Sequence, residues 1–336
     1  MLIEERAYAR AGLLGNPSDG YYGKTISVIV KNFGAHITLF QSPELRIEQQ
    51  EQDRNIFPNI HSLLETVKIH GYYGGDRLIK AAIKTFAEYC NDHSIKIENK
   101  NFTLRYHSTI PRQIGLAGSS AIITATMRAL MKFYCVAIPL EVLPTIVLKA
   151  ETQELGITAG LQDRVIQAYE GCVYMDFERR FLDEHGYGRY ERLASPVFDN
   201  LYIAYKAQLG KVSGVVLNDI RSRYERGDKL VIDTLQEIAS LAEKGRAPLV
   251  AGDISALHEL VNRNFDLRRG IMRISESNLD LINTARACGV SSSFTGSGGS
   301  IIGFYNDNES LTRLIIEMKK RNARVIKPFI SQIGPL

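Results

Sequence analysis

Residues 111–121 read Pro111-Arg112-Gln113-Ile114-Gly115-Leu116-Ala117-Gly118-Ser119-Ser120-Ala121 and lead straight into apolar residues at helical spacing, Ala121, Ile122, Ala125, Ala129 and Leu130. Glycine lets a backbone close on a phosphate without a Cβ in the way. A helix beginning just after such a loop points its unpaired N–H groups and the positive end of its dipole at the same spot. Ser119 and Ser120 can cap that helix, or lend a hydroxyl to a phosphate oxygen or a magnesium ion. The plain alternative is an ordinary Ser-capped helix after a flexible loop. The segment is not a Walker motif, because no Gly-Lys-Ser/Thr closes it, and it lacks the Gly-x-Gly-x-x-Gly of a dinucleotide fingerprint.

Three further segments carry chemistry-bearing residues. The first is Arg10-Ala-Gly-Leu-Leu-Gly15-Asn16-Pro17-Ser18-Asp19, and another is the Gly-rich turn Ser293-Phe-Thr295-Gly296-Ser-Gly298-Gly299. Between them lies Ala150-Glu151-Thr-Gln-Glu154-Leu-Gly156-Ile-Thr-Ala-Gly160-Leu-Gln162-Asp163. Taken singly these residues have bland explanations: most carboxylates are solvated helix charges, and an Asp before Gly is simple turn chemistry.

In order and spelling, however, the set resembles the GHMP kinases, the family of galactokinase, homoserine kinase, mevalonate kinase and phosphomevalonate kinase. Pro-x-x-x-Gly-Leu-x-Gly-Ser-Ser-Ala at 111–121 resembles that family's ATP-binding signature, Arg10–Asp19 its substrate-side motif, and 293–299 its third, Gly-rich motif. The resemblance implies ATP and Mg2+ as cofactors. It places Asp163 as the catalytic carboxylate facing the acceptor hydroxyl and Arg10 as the cation beside it. It also makes Glu151 a metal ligand together with Ser120, with Glu154 as the weaker rival for the metal. Asn16, Asp19 and Gly160 fall on the acceptor side. This division matches what phosphoryl transfer requires, a metal bridging phosphates and a carboxylate at the attacking hydroxyl.

The first motif departs from the galactokinase spelling, Gly-Glu-His-Thr-Asp, by reading Gly15-Asn16-Pro17-Ser18-Asp19. Together with Gly71-Tyr72-Tyr73-Gly74-Gly75, Ile110-Pro-Arg-Gln113, Gly160-Leu-Gln-Asp-Arg164 and the run from Asn262 to Arg269, this spelling resembles the plant glucuronokinase branch. Such enzymes phosphorylate the anomeric hydroxyl of D-glucuronate, and the product feeds UDP-glucuronate synthesis. A uronate needs a cation facing its carboxylate, ideally an Arg fork. Lys24, Arg77, Arg112 and Arg268 are the candidates, with Lys24 closest in sequence to Asp19. Tyr72 and Tyr73 are candidates for stacking on sugar or adenine, or for the core. Galacturonate, a neutral hexose or a heptose phosphate is the alternative acceptor, and a non-catalytic sugar or nucleotide sensor the alternative class.

The elements that must position these residues follow from periodicity. Strands are expected at 25–30, 35–40, 102–106, 201–205 and 301–304, and a short strand before Gly15. Helices are expected at 78–89, 142–154, 163–169 and from 309, with a charge- and Gly-rich tract at 178–192. Strands and helices interleave without a βαβ rhythm, so the fold class is α+β. The resemblance specifies it further, as a ribosomal-protein-S5-like N-terminal domain, residues 1–195, and a ferredoxin-like α/β-plait C-terminal domain, residues 196–336. The 336 residues suit two such domains. A net charge of +4 is too mild for nucleic acid, and no stretch nears the roughly 20 apolar residues that span a bilayer. The N-terminus shows no signal peptide, and the four cysteines, none in a Cys-x-x-Cys pair, are expected to be reduced core thiols. The expected setting is therefore cytoplasmic, with small-molecule partners.

Overall fold

The computed structural model describes residues 1–48, 74–206 and 214–331, with the side chains of 214–218 left aside. Of the motifs named above, only Gly71, Tyr72 and Tyr73 lie outside the described residues.

Two long strands organise the first half. Strand β1 (Leu2–Leu14) pairs antiparallel with β2 (Lys24–Gln41) from Leu2 opposite Phe40 to Leu14 opposite Ile26. The sequence suggests two strands where β2 is continuous. Its register against β1 jumps from Tyr8–Gly34 to Ala9–Val30, so Lys31, Asn32 and Phe33 form a bulge rather than a turn. On its other edge β2 pairs first with β5 (Cys172–Asp176) and then with β4 (Phe102–Ser108). The short β3 (Arg46–Glu48) lies parallel to β4, and β6 (Arg189–Arg192) antiparallel to β5. The tract at 178–192 therefore holds β6 and a helical turn rather than irregular chain.

Helices α1 (Gly75–Asp92), α2 (Gly118–Tyr134), α3 (Leu143–Thr152) and α4 (Gln162–Tyr169) pack together, and α2 and α4 also lie against β1 and β2. Most of α2 is buried, from Ala121 to Phe133, as a helix wedged between a sheet and its neighbours must be. After α5 (Arg179–His185) the chain leaves the first sheet at Arg192 and enters a second at β7 (Leu201–Lys206). That sheet has the order β10–β7–β9–β8, all antiparallel, with β8 (Ser293–Phe294), β9 (Ser300–Phe304) and β10 (Ala323–Ile326).

Helices α6 (Gly214–Glu225), α7 (Lys229–Ala251), α8 (Ile254–Ile271), α9 (Glu276–Ala287) and α10 (Asn308–Lys319) complete the second half. Three of them start on an aspartate whose carboxylate accepts a first-turn N–H: Asp228 from Val231, Asp253 from Ala256 and Asp307 from Ser310. Phe265, Leu281, Ile301, Leu314 and Met318 share one apolar cluster between these helices and the second sheet.

Cys90, Cys172 and Cys288 are buried free thiols, as expected, but Cys135 is exposed. It ends α2 in the left-handed conformation, φ 54°, where the chain turns away from the core. No helix among the described residues is long and apolar enough to cross a membrane.

Helix α7 joins the halves by packing on β1 and β2, and Gly245 makes this possible. A Cβ there would stand 2.3 Å from Leu14 Cδ1. Gly245→Leu should destabilise the protein by about 1–3 kcal/mol through overpacking, outweighing the ~1 kcal/mol that removing a helical glycine returns. Urea denaturation measures this, and an unchanged or raised midpoint would reject the close packing.

Candidate active site

The loop at 111–121 is built on backbone conformations that few sequences tolerate. Gln113, Gly115 and Ala117 all have positive φ, and Ala117 serves as the left-handed N-cap of α2. Gly115 is needed twice over: its φ is +73°, and a Cβ would lie 2.8 Å from the Gly298 carbonyl oxygen. The close neighbour is the third motif. Thr295 Oγ1 donates to the Gly115 carbonyl at 3.1 Å, and Ser300 Oγ to the Ile114 carbonyl at 2.5 Å. The Gly-rich turn of the second sheet thus clamps the loop from behind, and the loop opens toward a cavity of about 460 Å³. Arg10, Asp19, Ser120, Glu151, Asp163 and Arg268 are among the residues lining that cavity.

Arg10 projects from β1 into the meeting point of these segments. Its Nε donates to Asp163 Oδ1 at 2.6 Å, and its Nη1 donates to the carbonyls of Gly115, at 3.0 Å, and Thr295. Asp163 sits in the first turn of α4, where the helix dipole also favours an anion. Burial pushes its carboxyl upward, but Arg10 and Arg164 outweigh burial and hold it below the usual carboxylate value. Ser120 is buried at the start of α2, with its hydroxyl donating to the Ala117 carbonyl at 3.2 Å.

Glu151 lies at the end of α3, almost wholly buried. Its Oε2 accepts from both Nε, at 2.7 Å, and Nη2 of Arg164, while Arg164 Nη1 reaches the Gly160 carbonyl at 2.7 Å. Burial raises the Glu151 carboxyl above its ordinary value, with Arg164 opposing. Glu154 instead pairs with Lys84 at 2.7 Å and does not line the cavity. A hydroxyl and a carboxylate are hard oxygen donors of the kind magnesium takes alongside phosphate oxygens. Among the described residues no group of three or more His, Cys, Asp or Glu forms a self-contained metal centre.

Elsewhere on the cavity wall, Gly160 owes its identity to Asp19: a Cβ there would stand 2.0 Å from Asp19 Oδ2. Asp19 accepts from the Gln162 backbone N–H at 3.3 Å and from Gln162 Nε2 at 3.2 Å. Burial, reinforced by the Asp163 charge, raises the Asp19 carboxyl from 3.8 to about 6. Asn16 is buried beside it, and α8 fixes their loop, because Asn264 accepts from Gly15 N at 2.7 Å and donates to the Asn16 carbonyl at 3.2 Å.

Lys24 is not part of this site. It is absent from the cavity wall, and its ammonium pairs with Glu243 of α7 at 2.6 Å and with Asp176 at 3.8 Å. Sequence proximity to Asp19 misleads because Lys24 opens β2, after the chain has turned through Ser18–Tyr21. Arg77 is exposed and also off the wall, and Arg112 stands exposed in the loop at the cavity edge. Sequence reasoning assigned no role to Gln162 or Arg164, although both flank Asp163 and their spelling was visible. Both act on partners more than ten positions away in sequence, and local spacing does not reveal such partners.

Residues 77–171 match the family model of the GHMP kinases N terminal domain, and residues 246–323 that of the GHMP kinases C terminal domain. A protein of Arabidopsis thaliana, probable glucuronokinase 2, is 42% identical over 334 residues, covering 97% of this chain and 91% of its own length. The chain belongs to the GHMP kinase family. Glucuronokinase 1 of the same plant is likewise 42% identical, over 332 residues, with 97% of this chain and 91% of that protein covered. In three dimensions this GHMP kinase superposes on Lactococcus lactis galactokinase complexed with galactose with a TM-score of 0.77. That match spans 100% of this chain and 95% of the other at 15% identity, and it shows the shared fold.

Two outcomes test the kinase's site electrostatics and layout. Between about pH 4 and about 6 folded Asp19 holds a proton that the unfolded chain has released, so stability falls as pH rises through that window. Asp19→Asn should therefore raise the urea midpoint at neutral pH and flatten the decline across the window. A lowered midpoint would show that ionised Asp19 supports the fold. Lys24→Met should leave the acceptor KM within about twofold and cost under about 1 kcal/mol of stability, as expected for a partly exposed pair. A tenfold rise in KM would return Lys24 to the acceptor site.

Proposed function

We propose that this GHMP kinase transfers the γ-phosphoryl group of ATP to the anomeric hydroxyl of D-glucuronate, giving glucuronate 1-phosphate and ADP. The observation that carries the reaction type is the buried Arg10–Asp163 pair in the wall of a cavity shared with the Gly115–Ser120 backbone. The resemblance in sequence to glucuronokinases carries the acceptor. Domains 1–195 and 196–336 each supply part of the walls.

In this reading the loop and the first turn of α2 cradle the phosphates of ATP through backbone N–H groups. Ser120 and Glu151 would hold magnesium, which when bound draws charge from the β- and γ-phosphates. Glu151 gives its oxygen while Arg164 fixes the carboxylate's orientation. Asn16, Asp19 and the space left by Gly160 receive the sugar, with Asp19 accepting from its hydroxyls in the ionised form.

Asp163 takes the anomeric hydroxyl on a carboxylate lone pair left open by Arg10, which holds Oδ1 at 2.6 Å, and by Arg164, whose Nη1 stands 3.4 Å from Oδ2. The hydroxyl oxygen attacks the γ-phosphorus, the bond to the β–γ bridging oxygen breaks, and ADP leaves. A carboxylate held this far below its usual pKa is a weak base toward a free hydroxyl. It takes the proton late, once the new oxygen–phosphorus bond has acidified that hydroxyl, which suits a loose transition state. Arg10 keeps the carboxylate ionised and in line, and no covalent enzyme intermediate is needed.

ADP release measured across glucuronate, galacturonate and glucose, with phosphorus NMR of the product, tests the assignment. Glucuronate should be preferred and phosphorylated at C1; equal rates with glucose would reject a dedicated acid acceptor. Asp163→Asn should retain ATP binding and lose turnover by about 10²-fold or more, the scale of positioned acid–base groups. Turnover near the wild-type rate would remove Asp163 from the mechanism.

A further inference from the structure

Each buried charge in the cavity wall but one has a close partner among the described residues. Arg10 is paired with Asp163 and Arg164 with Glu151, and Asp19 is held by Gln162. The exception is Arg268, one turn beyond Asn264 on the inward face of α8. It is fully buried, yet no carboxylate among the described residues lies within salt-bridge distance. Its Nη2 donates to the Gly296 carbonyl at 2.8 Å, its Nε meets Met272 Sδ at 3.4 Å, and its guanidinium lies 5.3 Å from the centre of the Phe294 ring. Nη1 is buried with no hydrogen-bond partner.

A buried cation with an unmade hydrogen bond is costly, and proteins keep such groups where a ligand completes them. The neighbouring Arg263 and Asp266 show the contrast: both are exposed on the outer face of α8, and each pairs with a surface partner, Glu237 and Arg286 respectively. Burial, helped by the nearby Arg10 charge, pulls Arg268 down to about 10, while Asp19 is the anion that opposes this. Arg268 lines the same cavity as Asp19, and Asn264, one turn earlier on α8, holds the Gly15–Asn16 loop that leads to Asp19, so the helix brings its guanidinium to that part of the wall.

We propose that Arg268 determines acceptor specificity, its unpartnered Nη1 donating to a carboxylate oxygen of the sugar acid. This rests on the reading of the acceptor as a uronate. The sugar would then span from Asp163, at the reacting hydroxyl, past Asp19 to Arg268. An arginine locked by Gly296, Met272 and Phe294 is pre-oriented for a planar carboxylate, whereas a neutral hydroxymethyl group leaves its buried charge uncompensated. The competing anion is a phosphate of ATP, and the arms of the test separate the two.

The experiment compares kcat/KM for glucuronate, its neutral isostere glucuronamide, and glucose in wild type, Arg268→Met and Arg268→Lys. The wild type should favour glucuronate over glucuronamide by about 100-fold or more. Arg268→Met should abolish most of that preference by losing glucuronate activity alone, with the KM for ATP within about twofold, and Arg268→Lys should recover part of it. Equal losses with glucuronate and glucuronamide would mark Arg268 as merely structural, and a rise confined to the KM for ATP would assign it to phosphate; either overturns the proposal. A wild-type enzyme that prefers glucose would reject the uronate reading and this inference with it, whereas a wild type selective for glucuronate whose Met variant keeps that selectivity rejects the inference alone. Should Arg268→Met not fold, a crystal of the wild type with glucuronate and an unreactive ATP analogue decides. The carboxylate should lie within hydrogen-bond reach of Nη1, and a carboxylate seated on another cation overturns the assignment.

Discussion

The guanidinium of Arg10 gives its Nε to Asp163 and its Nη1 to the carbonyls of Gly115 and Thr295. One planar group thereby fixes β1, the 111–121 loop, α4 and the Gly-rich turn of the second sheet against one another. The rigid fork of arginine suits this, since its donors lie in one plane and stay charged. The backbone repeats the connection on both sides, with Arg10 N donating to the Leu116 carbonyl at 3.2 Å and Gly12 N to the Thr295 carbonyl at 2.7 Å.

Around it the charges alternate. Arg10, Asp163, Arg164 and Glu151 form a chain in which each buried ion touches one of opposite sign. Asp163 is held ionised between two cations, whereas Asp19, beside Asp163 and farther from the cations, is left with a raised pKa. Neighbouring carboxylates of the same chemistry are in this way driven toward different protonation behaviour by what surrounds them. The carboxylate with the ion pairs stays ionised, and the one without them bears the desolvation.

Much of this was legible in the sequence where the cause is local. The phosphate loop announces itself because glycine, serine and a helical pattern follow one another within a few residues, and the α+β class follows from strands and helices that alternate irregularly. What escaped depends on partners far apart in the chain. Lys24 reads as an acceptor residue until α7 brings Glu243 to it, and Arg164 reads as a neighbour of Asp163 until α3 brings Glu151. The break expected in β2 turned into a bulge because β1 continues past it and supplies pairing on both sides. The charged tract before Arg192 hid an edge strand, since among the described residues β6 pairs with β5 alone and its alternating side chains are partly solvated.

The clamp that Thr295 and Ser300 place on the carbonyls of Ile114 and Gly115 has a consequence for biogenesis. The phosphate loop is made early in translation and its clamp some 180 residues later, as the spacing of Thr295 and Gly115 records. Until the second sheet has folded and docked, the strained backbone of that loop is braced from within the first half, by Arg10 and Gln167, but lacks the clamp. The final shape of the loop therefore waits on the arrival of the second sheet, so a chain cut short before Thr295 lacks it.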